Sequence, residues 1–241
     1  MTRFEVAAHI DERGRITGGA PGDQTGNEVS IGVYSNYPWD CVLRYNGPKA
    51  KRVRNRLMKA AVKIAKGNKV GYNQDTRTTL YYQMQRLKWY LKRVGKISKC
   101  NTDCSAFVAV CINIALVPIK LAKPLPDYIW TGNMIDEICP LGFTRVDNGI
   151  NFNSGKGLEP GDILLNIWNH TSIYLGTNSN GELYTSEPNT RPTKPANLNK
   201  VAQDVIDGVY GNGDERIANL RNAGYDPAMV QSEVNRILGY A

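Results

Sequence analysis

The stretch NTDCSAFVAVC, residues 101–111, sets a thiol, Cys104, behind a carboxylate, Asp103, where an apolar helical pattern begins. A thiolate is the nucleophile of cysteine chemistry. A helix N-terminus offers it unpaired N–H groups and partial positive charge, which predicts a lowered pKa for Cys104. The same N–H groups can hold an oxyanion on an attacked carbonyl. Cys111 falls two turns further along, where a thiol is only a small apolar group. A thiol nucleophile needs a base, and the chain has two histidines, His9 and His170. His9 lies in a loop-rich N-terminus. His170 opens the strand pattern HTSIYLG, which runs into the turn TNSNGE. If Leu175 pairs with Glu182 across that turn, His170 stands opposite Glu187, within reach of a carboxylate that orients its ring. Asn189, two residues on, shares that face and can do the same work. A slip of one residue would send Glu187 to the other face. Each group also has a plain structural reading: a cysteine at a helix start, a half-buried strand histidine, and helix capping for Asp103 and Ser105.

The elements that would position these groups follow from periodicity. Helices are predicted over about 49–66 and 76–94, the second from the spacing of Leu80, Met84, Leu87, Leu91 and Val94. A third is predicted over 104–116, with Phe107, Val108, Cys111 and Ala115 on one face with Cys104. EVSIGVYS and DCVLRY read as short strands, as do GDILLNIW at 161–168, HTSIYLG at 170–176 and LYTSE at 183–187. Helices first and strands later predict an α+β domain. Residues 1–47 read as an N-terminal extension, with a long loop at GGAPGDQTGNE, which lacks the Gly-Lys-Ser/Thr end of a phosphate loop. NTRPTKPANLN reads as a linker, and residues 200–241 as three short helices, with Asp226-Pro227 as an N-cap and first helical residue.

Thirty Lys and Arg against 22 Asp and Glu give a net charge of +8. Such a chain meets polyanions: nucleic acid, anionic lipid or acidic wall polymers. Much of the excess sits in residues 49–69, which contain no acid and read first as a solvated helix face. Five cysteines without regular spacing make a poor disulfide framework, and with two histidines they argue against a zinc site. No calcium-loop pattern occurs, so neither metal nor cofactor is expected. The N-terminus lacks the apolar core of a signal peptide, and no apolar run reaches the ~18 residues of a membrane span, which predicts synthesis in a cytoplasm without membrane insertion.

TDCSAFV, then GDILLNIWNHTSIYLG, then YTSEPN together resemble the NlpC/P60 and CHAP group of papain-like peptidoglycan hydrolases over roughly residues 50–190. The DCS start is similar to NlpC/P60, and the ending SEPN is closer to CHAP. The resemblance implies Cys104 as nucleophile, His170 as base and Glu187 or Asn189 as the orienting residue. It implies Tyr72, in GYNQDTR, as a residue lining the site, and Asp103 and Ser105 as contacts for a substrate amine. Residues 201–238 strongly resemble the CW_7 cell-wall-binding repeat, a small three-helix bundle that binds the muropeptide part of peptidoglycan. The pattern is carried by Asp207-Gly208, GNGDER at 211–216, Leu220, AGY at 223–225 and Val234-Asn235. Tyr210 stands where the family usually has tryptophan. Asp214, Arg216 and Tyr225 are the other expected wall-binding residues, while Leu220, Val230, Val234, Ile237 and Leu238 read as core. A single copy would favour oligomerisation, or avidity shared with the catalytic domain.

The resemblances imply a phage-type endolysin that is released through a holin lesion and cuts an amide in the peptide part of peptidoglycan. A γ-D-glutamyl stem-peptide cut is expected first, and an N-acetylmuramoyl-L-alanine amidase cut second. A non-catalytic wall-binding protein is the alternative of another class. No helix-turn-helix, zinc-finger or RNA-binding signature supports nucleic acid as a partner.

Overall fold

The computed structural model describes residues 3–8, 20–24, 28–34, 37–177, 198–223, 225 and 227–239. The chain divides into two compact units, Met1–Tyr184 and Thr185–Ala241.

The first unit is built on a six-stranded sheet in the order β2-β1-β8-β7-β3-β6. The strands are β1 Arg3–Ala8, β2 Val29–Val33, β3 Cys41–Tyr45, β6 Phe143–Val146, β7 Ile163–Asn166 and β8 His170–Thr177. Every pairing among them is antiparallel. The class is therefore α+β, but strands come first as well as last. Three of the six lie within residues predicted as an extension, so those residues are sheet, not an appendage. β1 escaped notice because RFEVAA is short and only weakly alternating.

Side chains alternate along each strand, so the sheet has two faces. One face carries Val6, Ala8, Cys41, Leu43, Ile163, Leu165 and Ile173 into the main core. There they meet helix α1 (Ala50–Ala65) through Val53, Leu57, Ala61 and Ile64, and helix α3 (Cys104–Leu116) through Phe107, Val108 and Cys111. All 13 residues of α3 are buried, as expected of a helix whose apolar residues surround it on every side, with Ser105 and Asn113 hydrogen-bonded inside. The other face holds a smaller cluster of Trp39, Val42, Leu164 and Tyr174. α1 turns its basic residues Lys51, Arg52, Lys59 and Lys63 to solvent, the solvated face its periodicity suggests.

The predicted helix over 76–94 is two pieces. Helix α2 spans Thr79–Arg86, and a 3-10 turn follows at Leu91–Lys96. Between them Lys88 and Trp89 take left-handed conformations, with φ of 57° and 58°. Trp89 is buried with its ring 4.9 Å from that of Tyr81, so packing overrides local helical preference here. A small parallel pair, β4 (Val70–Tyr72) and β5 (Cys100–Thr102), leads into α3. A short helix α4 spans Met134–Ile138.

The second unit has helices α5 (Leu198–Ile206), α6 (Gly213–Asn222) and α7 (Pro227–Ile237). They share a core of Val201, Ala202, Val205, Leu220, Val230 and Val234, with Ile237 partly buried. Leu238, expected in that core, is 49% exposed, because it follows the last turn of α7.

Candidate functional site

The start of α3 is fixed from three directions. Asp103 is the N-cap: its backbone is extended, and Oδ1 accepts the Ala106 N–H at 2.7 Å. Arg77 approaches from ahead of α2, with Nε 3.0 Å from Asp103 Oδ2. That nitrogen lies outside hydrogen-bond geometry, so the contact is an ion pair. The guanidinium also donates to Ser105 Oγ at 3.2 Å and to the Ile129 carbonyl. Ser105 Oγ lies 3.0 Å from Asp103 Oδ1 and 3.2 Å from the Ile129 carbonyl, so it too faces inward. Asp103 and Ser105 are both buried, and capping and bracing are the work their contacts describe.

Arg77 is held by the turn before it. Asn73 Oδ1 accepts the N–H groups of Asp75 and Thr76 at 2.8 and 3.1 Å, and the Asn73 N–H donates to the Thr102 carbonyl at 3.0 Å. The β4–β5 register sets Tyr72 beside Thr102, two residues ahead of Cys104. The Tyr72 hydroxyl accepts from Gln74 Nε2 at 3.1 Å. Burial pushes its pKa up to about 12, and the nearby Cys104 adds to the shift. Tyr72 thus keeps its proton and stands close enough to the thiol to feel its charge.

The backbone N–H groups of Thr171 and Ser105 act on the Cys104 sulfur and favour its thiolate. The first comes from β8, where His170 is the opening residue. The chain therefore brings Cys104 to the peptide that follows His170. The expected low thiol pKa is corrected. Burial, followed by the Asp103 carboxylate, pushes it up to about 12, and the two N–H groups and Arg77 offset this only in part. A helix N-terminus lowers a thiol pKa where the thiol is solvated. Here Cys104 is 7% exposed, and desolvation of the thiolate wins.

His170 pairs in register with Asn166 across the β7–β8 turn. Asn169 Nδ2 donates to Asn166 Oδ1 at 2.6 Å, and Asn166 Nδ2 donates to the Pro38 carbonyl, which anchors that turn to the segment before β3. The imidazole packs on aromatic rings, with centroids 5.4 Å from Tyr37 and 5.8 Å from Trp39. Both partners come from the first 47 residues, so that segment reaches the histidine. Glu187, Asn189, His9 and the 183–187 strand lie outside the described residues. Among the described residues, no group of three or more His, Cys, Asp or Glu could hold a metal ion.

Sequence reasoning missed Arg77, although it stands in the GYNQDTR stretch quoted for Tyr72. A carboxylate at the head of an apolar helix calls for a nearby cation, and that was the available signal. It also passed over Trp130, and it read Trp168 as the end of a strand, whereas β7 stops at Asn166 and Trp168 lies in the turn that follows. Their rings meet at 4.8 Å. A surface hollow over the start of α1, lined by Lys49, Lys51, Arg52 and Lys59, contains none of the residues around Cys104.

In the second unit, Tyr210 and Tyr225 lie 6.3 Å apart edge to face and pack partly buried on the helical core. Arg216 is partly buried on α6, and the Asp214 side chain lies outside the described residues.

Residues 6–181 match the endolysin-like domain, and residues 199–238 match the CW_7 repeat. Over 40 residues the chain is 58% identical to a protein named lysozyme from Streptococcus phage Cp-7. That stretch is 17% of this chain and 12% of the phage protein, so the chain spans only a small part of that relative. No solved structure matches. Among the described residues, no helix is long and apolar enough to cross a membrane.

Proposed function

Because the chain belongs to the endolysin-like domain family across residues 6–181, we propose that it is a phage-type endolysin that hydrolyses an amide in the peptide part of bacterial peptidoglycan. The observation that carries the reading is the influence of the Thr171 N–H on the Cys104 sulfur, which relates the start of α3 to the start of β8 at His170. The likeness of TDCSAFV and NHTSIYLG to the papain-like NlpC/P60 and CHAP hydrolases supports the same assignment.

In this reading Cys104 is the nucleophile and His170 the base. The resting thiol keeps its proton, so His170 removes it as sulfur attacks the carbonyl, rather than pairing with a preformed thiolate. The N–H of Ser105 and the Tyr72 hydroxyl donate to the oxyanion. The imidazolium then protonates the leaving amine, and water releases the acyl group with His170 again as base. Glu187 or Asn189 orients the imidazole. Asp103 and Ser105, expected as contacts for a substrate amine, serve instead as the brace that holds Cys104 in place. The bond proposed first is the γ-D-glutamyl bond of the stem peptide.

The CW_7 repeat holds the enzyme on the wall, with Tyr210, Asp214, Arg216 and Tyr225 as the residues proposed to meet muropeptide. The basic face of α1 adds attraction to anionic wall polymers. Release through a holin lesion remains part of the proposal. The test is release of wall fragments by the full chain and by Cys104→Ala and His170→Ala. Loss in both variants, with wall binding retained, is the expected result. Undiminished release by Cys104→Ala would remove the nucleophile assignment.

A further inference from the structure

The exposed tryptophans beside the site remain without a role. Trp168 is 68% exposed and Trp130 40% exposed, yet their rings pack against each other at 4.8 Å. Trp130 adjoins a residue that braces the start of α3, and Trp168 lies close to His170 in the chain. Trp130 follows Ile129, whose carbonyl receives Arg77 and lies 3.2 Å from Ser105 Oγ. Trp168 stands two residues before His170, so their Cα atoms are at most about 7 Å apart.

Each ring is set in place by a local device. Trp168 takes a left-handed backbone, φ 78°, at which a bulky side chain is an outlier. Asn169, the next residue, is of a type that tolerates that conformation, but the chain places the indole there. Trp130 lies flat over its own turn. A Cβ on Gly132 would come within 2.4 Å of the indole, so glycine leaves room for the ring in this position. The Trp130 N–H donates to Asn133 Oδ1 at 2.9 Å, which closes the turn. Strained backbone, a glycine that admits a ring and solvent exposure together describe a surface organised ahead of its ligand.

We propose that Trp130 and Trp168 form a ledge that binds an N-acetylhexosamine ring of the glycan strand, on the acyl side of the scissile amide. The face of an indole carries negative charge density. The C–H face of a pyranose ring is apolar and weakly positive at hydrogen, so it suits such a surface without a charged partner. A chain of net charge +8 disfavours a cationic ligand on the same rings. The ligand class rests on the hydrolase reading above, in which the glycan lies on the acyl side of either proposed cut.

The test uses the full chain carrying Cys104→Ala, titrated with the tetramer of N-acetylglucosamine and followed by calorimetry and tryptophan fluorescence. Saturable binding is expected, weakened at least tenfold by Trp168→Ala or Trp130→Ala. Trp168→Phe, which keeps an aromatic face, should stay within about threefold. Circular dichroism checks that each variant is folded. A second arm compares wild-type turnover of muramoyl peptides that differ only in saccharide length, where the tryptophan variants should lose the preference for the longer chain. Equal saccharide affinity in parent and variants would overturn the ledge, as would competition by free lysine in place of saccharide. Saccharide binding that depends on the tryptophans, without turnover of any wall substrate, would uphold the ledge and remove the hydrolase reading.

Discussion

The backbone N–H of Thr171, in the peptide directly after His170, favours the thiolate of Cys104, the first residue of α3. The thiol is buried, and burial pushes its pKa up to about 12. We predict that thiolate absorbance near 240 nm, assigned to Cys104 by subtracting the Cys104→Ala titration, appears only above pH 9 in the free protein. Appearance below pH 7 would mean a preformed thiolate–imidazolium pair instead.

Buried thiols and phenols set the alkaline limit of the fold. Burial raises Cys41 to about 11, and Cys100, Tyr34 and Tyr72 to about 12. Their ordinary values are 9.0 for cysteine and 10.0 for tyrosine. Each folded group holds its proton more tightly than the unfolded one, so its stabilisation is complete below about pH 9 and is lost as pH rises through 11 to 12. The melting temperature should be level from pH 7 to 8.5 and fall steeply above 9.5. A level profile to pH 11 would contradict this.

Asp103 combines a helix cap with the counter-charge for Arg77. Asp103→Ala should cost about 3 kcal/mol, from the lost cap and a guanidinium left facing a mostly buried site. Asp103→Asn keeps the cap acceptor and should cost about 1–2 kcal/mol. Urea unfolding midpoints read both, and equal losses would show that the cap contributes nothing beyond the charge.

Much of this was legible in the sequence. The helix over 104–116 coincides with α3, because a largely apolar run after a capping Asp leaves little choice. The strand pattern at 170–176 became β8, and that at 161–168 became the shorter β7, with residues 167–169 forming the hairpin turn. The thiol environment was not legible, because a local pattern gives the helix dipole but not the burial that opposes it. Nor was the contribution of β1, a short strand whose partner β8 lies far along the chain. Trp89 ended a helix that periodicity alone would have continued.

Trp168 pays for its place in backbone strain. Trp168→Asn, at φ 78°, should raise stability by about 1 kcal/mol. The same change should lower wall turnover, which separates fold from function at one position. Thermal melts and turbidity assays on one preparation read both.

Tyr72→Phe keeps the ring and removes the hydroxyl proposed to meet the oxyanion. It should lower kcat about a hundredfold, with the melting temperature held within a few degrees. An unchanged kcat would leave Tyr72 as packing only.

The most direct test is mass spectrometry of purified peptidoglycan digested by the wild type and by Cys104→Ala. We predict new N-termini within the stem peptide, at lysine or diaminopimelate, from the wild type alone. Free L-alanine N-termini would move the cut to the muramoyl amide and keep the same groups. New termini from both proteins, or none from the wild type on several wall types, would contradict a Cys104 hydrolase.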